Sequence, residues 1–218
     1  MAQAVIGPEE RTALFRWSRW LQVADIVYNL FEMGAAILFG LAAGSIALIG
    51  FGLDSGIEVS AAAIILWRLR VEGQDEAESR TERRAELIVG LTLMALAVFI
   101  VVQAGRSLLA QQAADPSLPG IVLSVLSLLF MPLFFIFKRR VADRLGSRAL
   151  AAGATEQIVC SYLAFALLLG LGANTLFGWW WADPTAALAM VPLVVREGWE
   201  AIRGEDGDGP NAEAMAGV

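Results

Sequence analysis

Polar and apolar positions divide the chain into six long apolar stretches separated by short charged intervals. By length and composition each stretch reads as a membrane-spanning α-helix, at about 20–44, 46–67, 85–108, 119–138, 148–171 and 182–203. The expected fold class is therefore all-α, a polytopic membrane protein with six transmembrane helices. Ala43, Gly44 and Ser45 leave almost no loop between the first two spans, and their small size permits a tight hairpin. The sixth span opens at "ADP", where Pro184 is tolerated in a first helical turn. Arg196, Glu197 and Glu200 occupy its last turns. Pro119 and Pro132 read as the start and a kink of the fourth span. Gly40, Gly44, Gly50 and Gly52 read as points of close helix packing.

Composition sharpens this picture. Of 218 residues, 57% are hydrophobic and only 17% charged, against roughly 25% charged in soluble domains. There is no histidine, which excludes His-based metal sites, His general bases and the HExxH zinc-protease motif. Cys160 is the single cysteine, so no intrachain disulfide can form. Nothing in the composition points to nucleic acid. The N-terminal "MAQAVIGPEERTALFRWSRW" lacks the apolar core of a signal peptide, so insertion is expected to rely on the first span.

The charges also set an orientation. Of the sixteen basic residues, only Arg106 falls on one side of the membrane. The rest lie before span one, between spans two and three, between spans four and five (Lys138, Arg139, Arg140, Arg144, Arg148), and at the C-terminal end. By the positive-inside rule both termini are cytoplasmic, and a bacterial-type inner or plasma membrane is the expected location. Trp17, Trp20 and Trp67 then mark the inner interface, and Trp179, Trp180 and Trp181 the outer one. The run "EGQDEAESRTERRAE" is expected to be a solvated cytoplasmic segment laced with pairs such as Glu76–Arg80. The resulting division is a cytoplasmic segment over about 1–18, a membrane domain over about 19–203 with a charged loop near 68–84, and a disordered acidic tail over about 204–218.

Candidate chemistry comes from acids inside the apolar runs: Asp25, Glu32, Asp54, Glu58 and Glu156, with Asp183 near the outer interface. Each costs roughly 2.5–3.5 kcal/mol at the bilayer centre on insertion scales. No Lys or Arg is expected at comparable depth, which leaves protonation, a water-filled cavity or a bound cation. Asp54 and Glu58 are one helical turn apart on one face, and Glu156 and Cys160 repeat that spacing in span five. At 1.5 Å per residue, Glu58 and Cys160 fall at the same depth, roughly 15–18 Å from the inner boundary. Glu32 reaches about that level, with Asn29 one turn before it.

A register shift of 102 aligns "SIALIGFGLDSGIEV" with "SRALAAGATEQIVCS", pairing Asp54 with Glu156 and Glu58 with Cys160. Because the two spans run in opposite directions, this reads as an inverted repeat of the kind that brackets transporter sites. Three carboxylates and a thiolate would make a four-ligand site whose oxygen and sulfur donors suit a borderline ion such as Zn2+. Cys160 reads equally as a ligand or as a small buried side chain. Glu32, Asn29 and Asp25 form a possible auxiliary polar or proton path. Glu32 reads equally as a participant or as a hydrogen-bonding partner of a neighbouring helix, and Asp25 as a hydrated acid near the cytoplasmic end.

At these residues the chain resembles the cation diffusion facilitator family of divalent-metal/proton antiporters. The resemblance spans about residues 15–203 and rests on "AGSIALIGFGLDSGIEV", "SRALAAGATEQIVC" and "WWADPTAALAMVPLVVREGWEAI". Asp54 and Glu58 match the family's DxxxD-like pair in span two, with Glu for the second Asp. Glu156 and Cys160 match the positions, but not the residue types, of the HxxxD or DxxxD pair in span five. The resemblance implies a non-enzymatic secondary transporter, usually a homodimer, that needs no cofactor and exports Zn2+ or a similar ion (Co2+, Cd2+, Fe2+, Mn2+) against protons. The family's C-terminal cytoplasmic domain and its His-rich loop are expected to be absent. Two other classes compete with this reading. "GFGLD" differs from the GxGD motif of intramembrane aspartyl proteases by the inserted Leu53, and no YD partner exists. A non-transporting regulatory or assembly protein with a degenerate site is the alternative.

Overall fold

A computed structural model describes residues 8–71, 77–112, 114–145 and 148–203. Within them the chain forms six α-helices and, among the described residues, no strand: α1 (Pro8–Ala43), α2 (Ile46–Val71), α3 (Ala77–Ala110), α4 (Leu118–Leu145), α5 (Arg148–Phe177) and α6 (Ala182–Arg203). All six expected spans are present. Five are long and apolar enough to cross a membrane, and α6 falls short of that apolarity. Its charged residues Asp183, Arg196, Glu197 and Glu200 account for the difference. The placement of the Trp67 side chain, the Glu76–Arg80 pair and the acidic tail lie outside what is described.

The helices outrun the bilayer. At 1.5 Å per residue, the 36 residues of α1 extend about 54 Å against a hydrocarbon thickness of about 30 Å. The bundle is also apolar on the outside. Trp20, Phe31, Leu41, Leu91, Leu109, Leu129 and Leu176 are all exposed, Leu109 by 89%. A soluble protein rarely presents such a surface; helices facing hydrocarbon do.

Inside, α1 packs on α2 and α4, α3 on α6, and α5 on α4 and α6, while α2 touches α3, α5 and α6. Leu48, Phe51, Ile100, Met131, Leu163, Leu167, Leu171 and Met190 fill the centre. Glycines set the closest approaches. A Cβ on Gly90 of α3 would stand 2.7 Å from the Gly198 carbonyl of α6, and one on Gly52 of α2 would stand 2.9 Å from Ala36 Cβ of α1. Gly40 and Gly50 are likewise tightly faced.

Gly44 departs from the packing expectation. Nothing lies within 4 Å of its Cβ position, and its φ is +64°. It is the left-handed residue that ends α1: Ser45 N–H donates to the Gly40 carbonyl at 3.0 Å, the 6→1 bond of a Schellman cap. The α1–α2 hairpin is tight because Gly44 turns it.

Opposite this turn, Asp183 of α6 caps α2 from across the bundle. Ser45 Oγ donates to Asp183 Oδ1 at 2.5 Å and the Ile46 N–H donates to Oδ2 at 2.9 Å. A helix start buried in a membrane needs such acceptors for its free N–H groups. Asn174 Nδ2 donates to the Ala114 carbonyl at 2.7 Å, and Asp115 N–H to the Ala43 carbonyl at 2.7 Å, which ties the same end of the bundle together.

Candidate metal site in the helix bundle

Asp54 and Glu58 project from α2, and Glu156 and Cys160 from α5, the two helices packing against each other. Asp54 and Cys160 are buried; Glu58 and Glu156 are half-buried. Cys160 of α5 lies within electrostatic range of Glu58 of α2. Asp54, Glu58 and Glu156 sit within electrostatic range of one another. Among the described residues, no three Cys, Asp or Glu side chains converge closely enough to hold one ion. The four groups thus share a region without forming a closed cage.

Two buried acceptors bear on the fit. Glu58 Oε2 and Gln157 Oε1 are shielded from solvent and hydrogen-bonded to nothing among the described residues. A buried, unpaired carboxylate oxygen is costly. A proton, a water molecule or a cation would each satisfy it.

Glu197 was not anticipated as part of this site. It projects from α6 into the field of Asp54 and Glu156. Sequence reading set it aside as a charge at a helix end. Its spacing was visible, but α6 packs against α2 only in the tertiary fold.

Glu32 is buried in a different setting. It accepts hydrogen bonds from Ser55 Oγ of α2 at 2.9 Å and from Ser127 Oγ of α4, which also pairs with the Tyr28 hydroxyl at 3.2 Å. Of its two expected roles, binding a neighbouring helix is thus directly visible.

Asp25 corrects the sequence reading twice. It is not a hydrated acid, and it does have a basic partner. Lys138 of α4, expected in a cytoplasmic loop, is 2% exposed and its Nζ reaches Asp25 Oδ2 at 2.6 Å, with Asp25 1% exposed. The fourth helix runs to Leu145 rather than ending near Lys138, which carries the lysine inside the bundle. Asn29 Nδ2 donates to the other Asp25 oxygen at 3.2 Å.

Six helices, an apolar exterior and a buried acidic region between α2 and α5 define a polytopic membrane protein built around intramembrane polar groups. Residues 23–204 match the cation efflux transmembrane domain. The chain belongs to that family, the cation diffusion facilitators. It is 23% identical over 171 residues to the uncharacterized transporter YdbO of Bacillus subtilis, covering 75% of this chain and 58% of that protein. It is 22% identical to the manganese efflux system protein MneS of the same bacterium, with coverage of 75% and 58%. It is 26% identical over 189 residues to the magnetosome protein MamB of Paramagnetospirillum magneticum, covering 84% of this chain and 62% of that protein. The chain thus spans about three-fifths of the length of these relatives.

Proposed function

We propose that the chain moves a divalent metal ion across the membrane, outward from the cytoplasm and in exchange for protons, with both termini cytoplasmic. The observation that carries this reading is the α2–α5 pairing. It sets Glu58, with its unpartnered Oε2, beside Cys160 and within the field of Asp54 and Glu156. Membership of the cation efflux family supports the ion as substrate.

Antiport follows from the ligand chemistry. Carboxylates and thiols must give up protons to bind a metal, so metal and proton compete for the same atoms. Without histidine, Asp54, Glu58 and Glu156 carry those protons. Zn2+ is the ion the mixed oxygen and sulfur donors favour. Mn2+ stands beside it, because two relatives are named manganese efflux systems. The working unit is a homodimer in a bacterial-type inner membrane.

The deciding measurement is metal uptake into proteoliposomes under an imposed pH gradient, comparing the unmodified chain with Asp54→Ala and Cys160→Ser. Movement of Zn2+, Co2+, Cd2+, Fe2+ or Mn2+ above the Asp54→Ala background supports the reading. Failure of all five to move sinks it. A second reading, a non-transporting assembly or regulatory protein, is favoured by the likeness to a magnetosome protein and by the open arrangement of the four side chains. It predicts metal binding, or none, with no flux.

A further inference from the structure

One face of α1 is polar along its length and is hidden. Ser18, Gln22, Asp25, Asn29 and Glu32 recur every three or four residues, and each is at most 1% exposed. That spacing places them in a single stripe. α4 runs antiparallel alongside: Ser127 meets Glu32, and Lys138 meets Asp25. The stripe starts at the end assigned to the cytoplasm and covers about 21 Å of helix rise. It stops at Ser55, next in sequence to Asp54.

Its hydrogen bonding is incomplete. Both amide atoms of Gln22 and Oδ1 of Asn29 are buried and have no hydrogen-bond partner among the described residues. Side chains that serve only to join helices would bond across the interface, as Ser127 and Ser55 do with Glu32. Buried polar atoms without protein partners are typically satisfied by internal water, which makes about three hydrogen bonds per molecule.

We propose that the α1–α4 seam is a hydrated proton conduit, in which ordered water held by Gln22 and Asn29 links the cytoplasmic end to Glu32 and Ser55 without passing through the metal ligands. The inference rests on the proton-coupled reading above. In each transfer a water accepts one proton and releases another, so charge moves while the waters stay in place. Glu32 takes a proton from the last water and returns it by the same balance. Gln22 does not titrate; it anchors water. Among the described residues, the charged and titratable groups facing the seam are Asp25, Lys138, Glu32 and Tyr28, with the exposed Glu10–Arg144 pair at its cytoplasmic end.

Two measurements on the full chain test this. The first is hydration. Met131 and Met190 are both buried in the core, Met131 on the face of α4 that also carries Ser127 and Lys138 and Met190 on α6. Brief hydroxyl-radical generation from bound water oxidises a buried methionine only where water lies beside it. Met131 is expected to label about tenfold faster than Met190 in the folded protein. Equal, slow labelling of the two means a dry seam and overturns the proposal.

The second is coupled flux in proteoliposomes with a luminal pH dye, using Zn2+ and Mn2+ singly. Gln22→Leu is expected to cut proton movement at least about fivefold while equilibrium metal binding stays within about twofold, and Gln22→Asn to restore most of it. The Gln22 side chain has no hydrogen bond to lose among the described residues, so Gln22→Leu is expected to leave folding intact. Wild-type flux in Gln22→Leu overturns the conduit while antiport stands. Metal flux without proton movement in the unmodified chain overturns both.

Discussion

Lys138 Nζ meets Asp25 Oδ2 at 2.6 Å, with both side chains almost wholly buried between α1 and α4. Asn29 completes the arrangement by donating to the second Asp25 oxygen. The pair joins two helices that also meet through Tyr28 against Phe130 and Phe134 and through Ser127 with Glu32. Lys138→Met is expected to destabilise the protein by about 3–5 kcal/mol, because it strands a buried carboxylate. Asp25→Leu combined with Lys138→Met is expected to recover most of that loss. Reversible unfolding of detergent-solubilised protein, read as a double-mutant cycle, checks both values.

Asp183 offers a separate test, since it caps α2 from a helix 138 positions away in sequence from Ser45. Asp183→Ala is expected to cost about 1–2 kcal/mol, as for loss of a helix N-cap. Asp183→Asn keeps one acceptor oxygen and is expected to cost less. Metal affinity is expected to be unchanged in both, because Asp183 caps the first residue of α2, about 18 Å of helix rise from Glu58. Thermal unfolding and a metal titration on the same samples separate the two effects.

Two glycines of α3 make a matched pair. Gly90→Ala puts a methyl 2.7 Å from the Gly198 carbonyl and 3.0 Å from the Ile202 nitrogen, so α6 must shift. About 1–3 kcal/mol of destabilisation is expected. Gly105 has nothing within 4 Å of its Cβ position, and Gly105→Ala is expected to stabilise by up to about 1 kcal/mol through helix propensity. A shared sign for the two variants would show that α3 and α6 do not touch as described.

These cases mark what the sequence could express. The six helices were legible because each apolar run is long enough to span a membrane, and the Asp54/Glu58 and Glu156/Cys160 spacings fix which side chains share a helix face. The Asp25–Lys138 pair was not legible. A lysine beside Arg139 and Arg140 reads as a loop charge, and only the extension of α4 to Leu145 carries it into the bundle. Gly44 was misread because packing and turning glycines look alike until φ is known. Glu197 joins the site through contact between α6 and α2, which no local pattern encodes.

Glu197 also separates ligands from neighbours. Metal binding is expected to weaken as pH falls, since the acids and the thiol must be deprotonated to coordinate. Asp54→Asn removes a donor atom and is expected to weaken binding by roughly 10- to 100-fold or more, the scale already seen for losing a ligand's supporting partner. Glu197→Gln removes only a nearby negative charge from the field of Asp54 and Glu156. Its expected effect is a few-fold loss of affinity, shrinking as ionic strength rises. Calorimetric titration with Zn2+ and Mn2+ at two salt concentrations reads the difference. A salt-independent loss for Glu197→Gln as large as that of Asp54→Asn would make Glu197 a ligand and require the site to be redrawn around α2, α5 and α6.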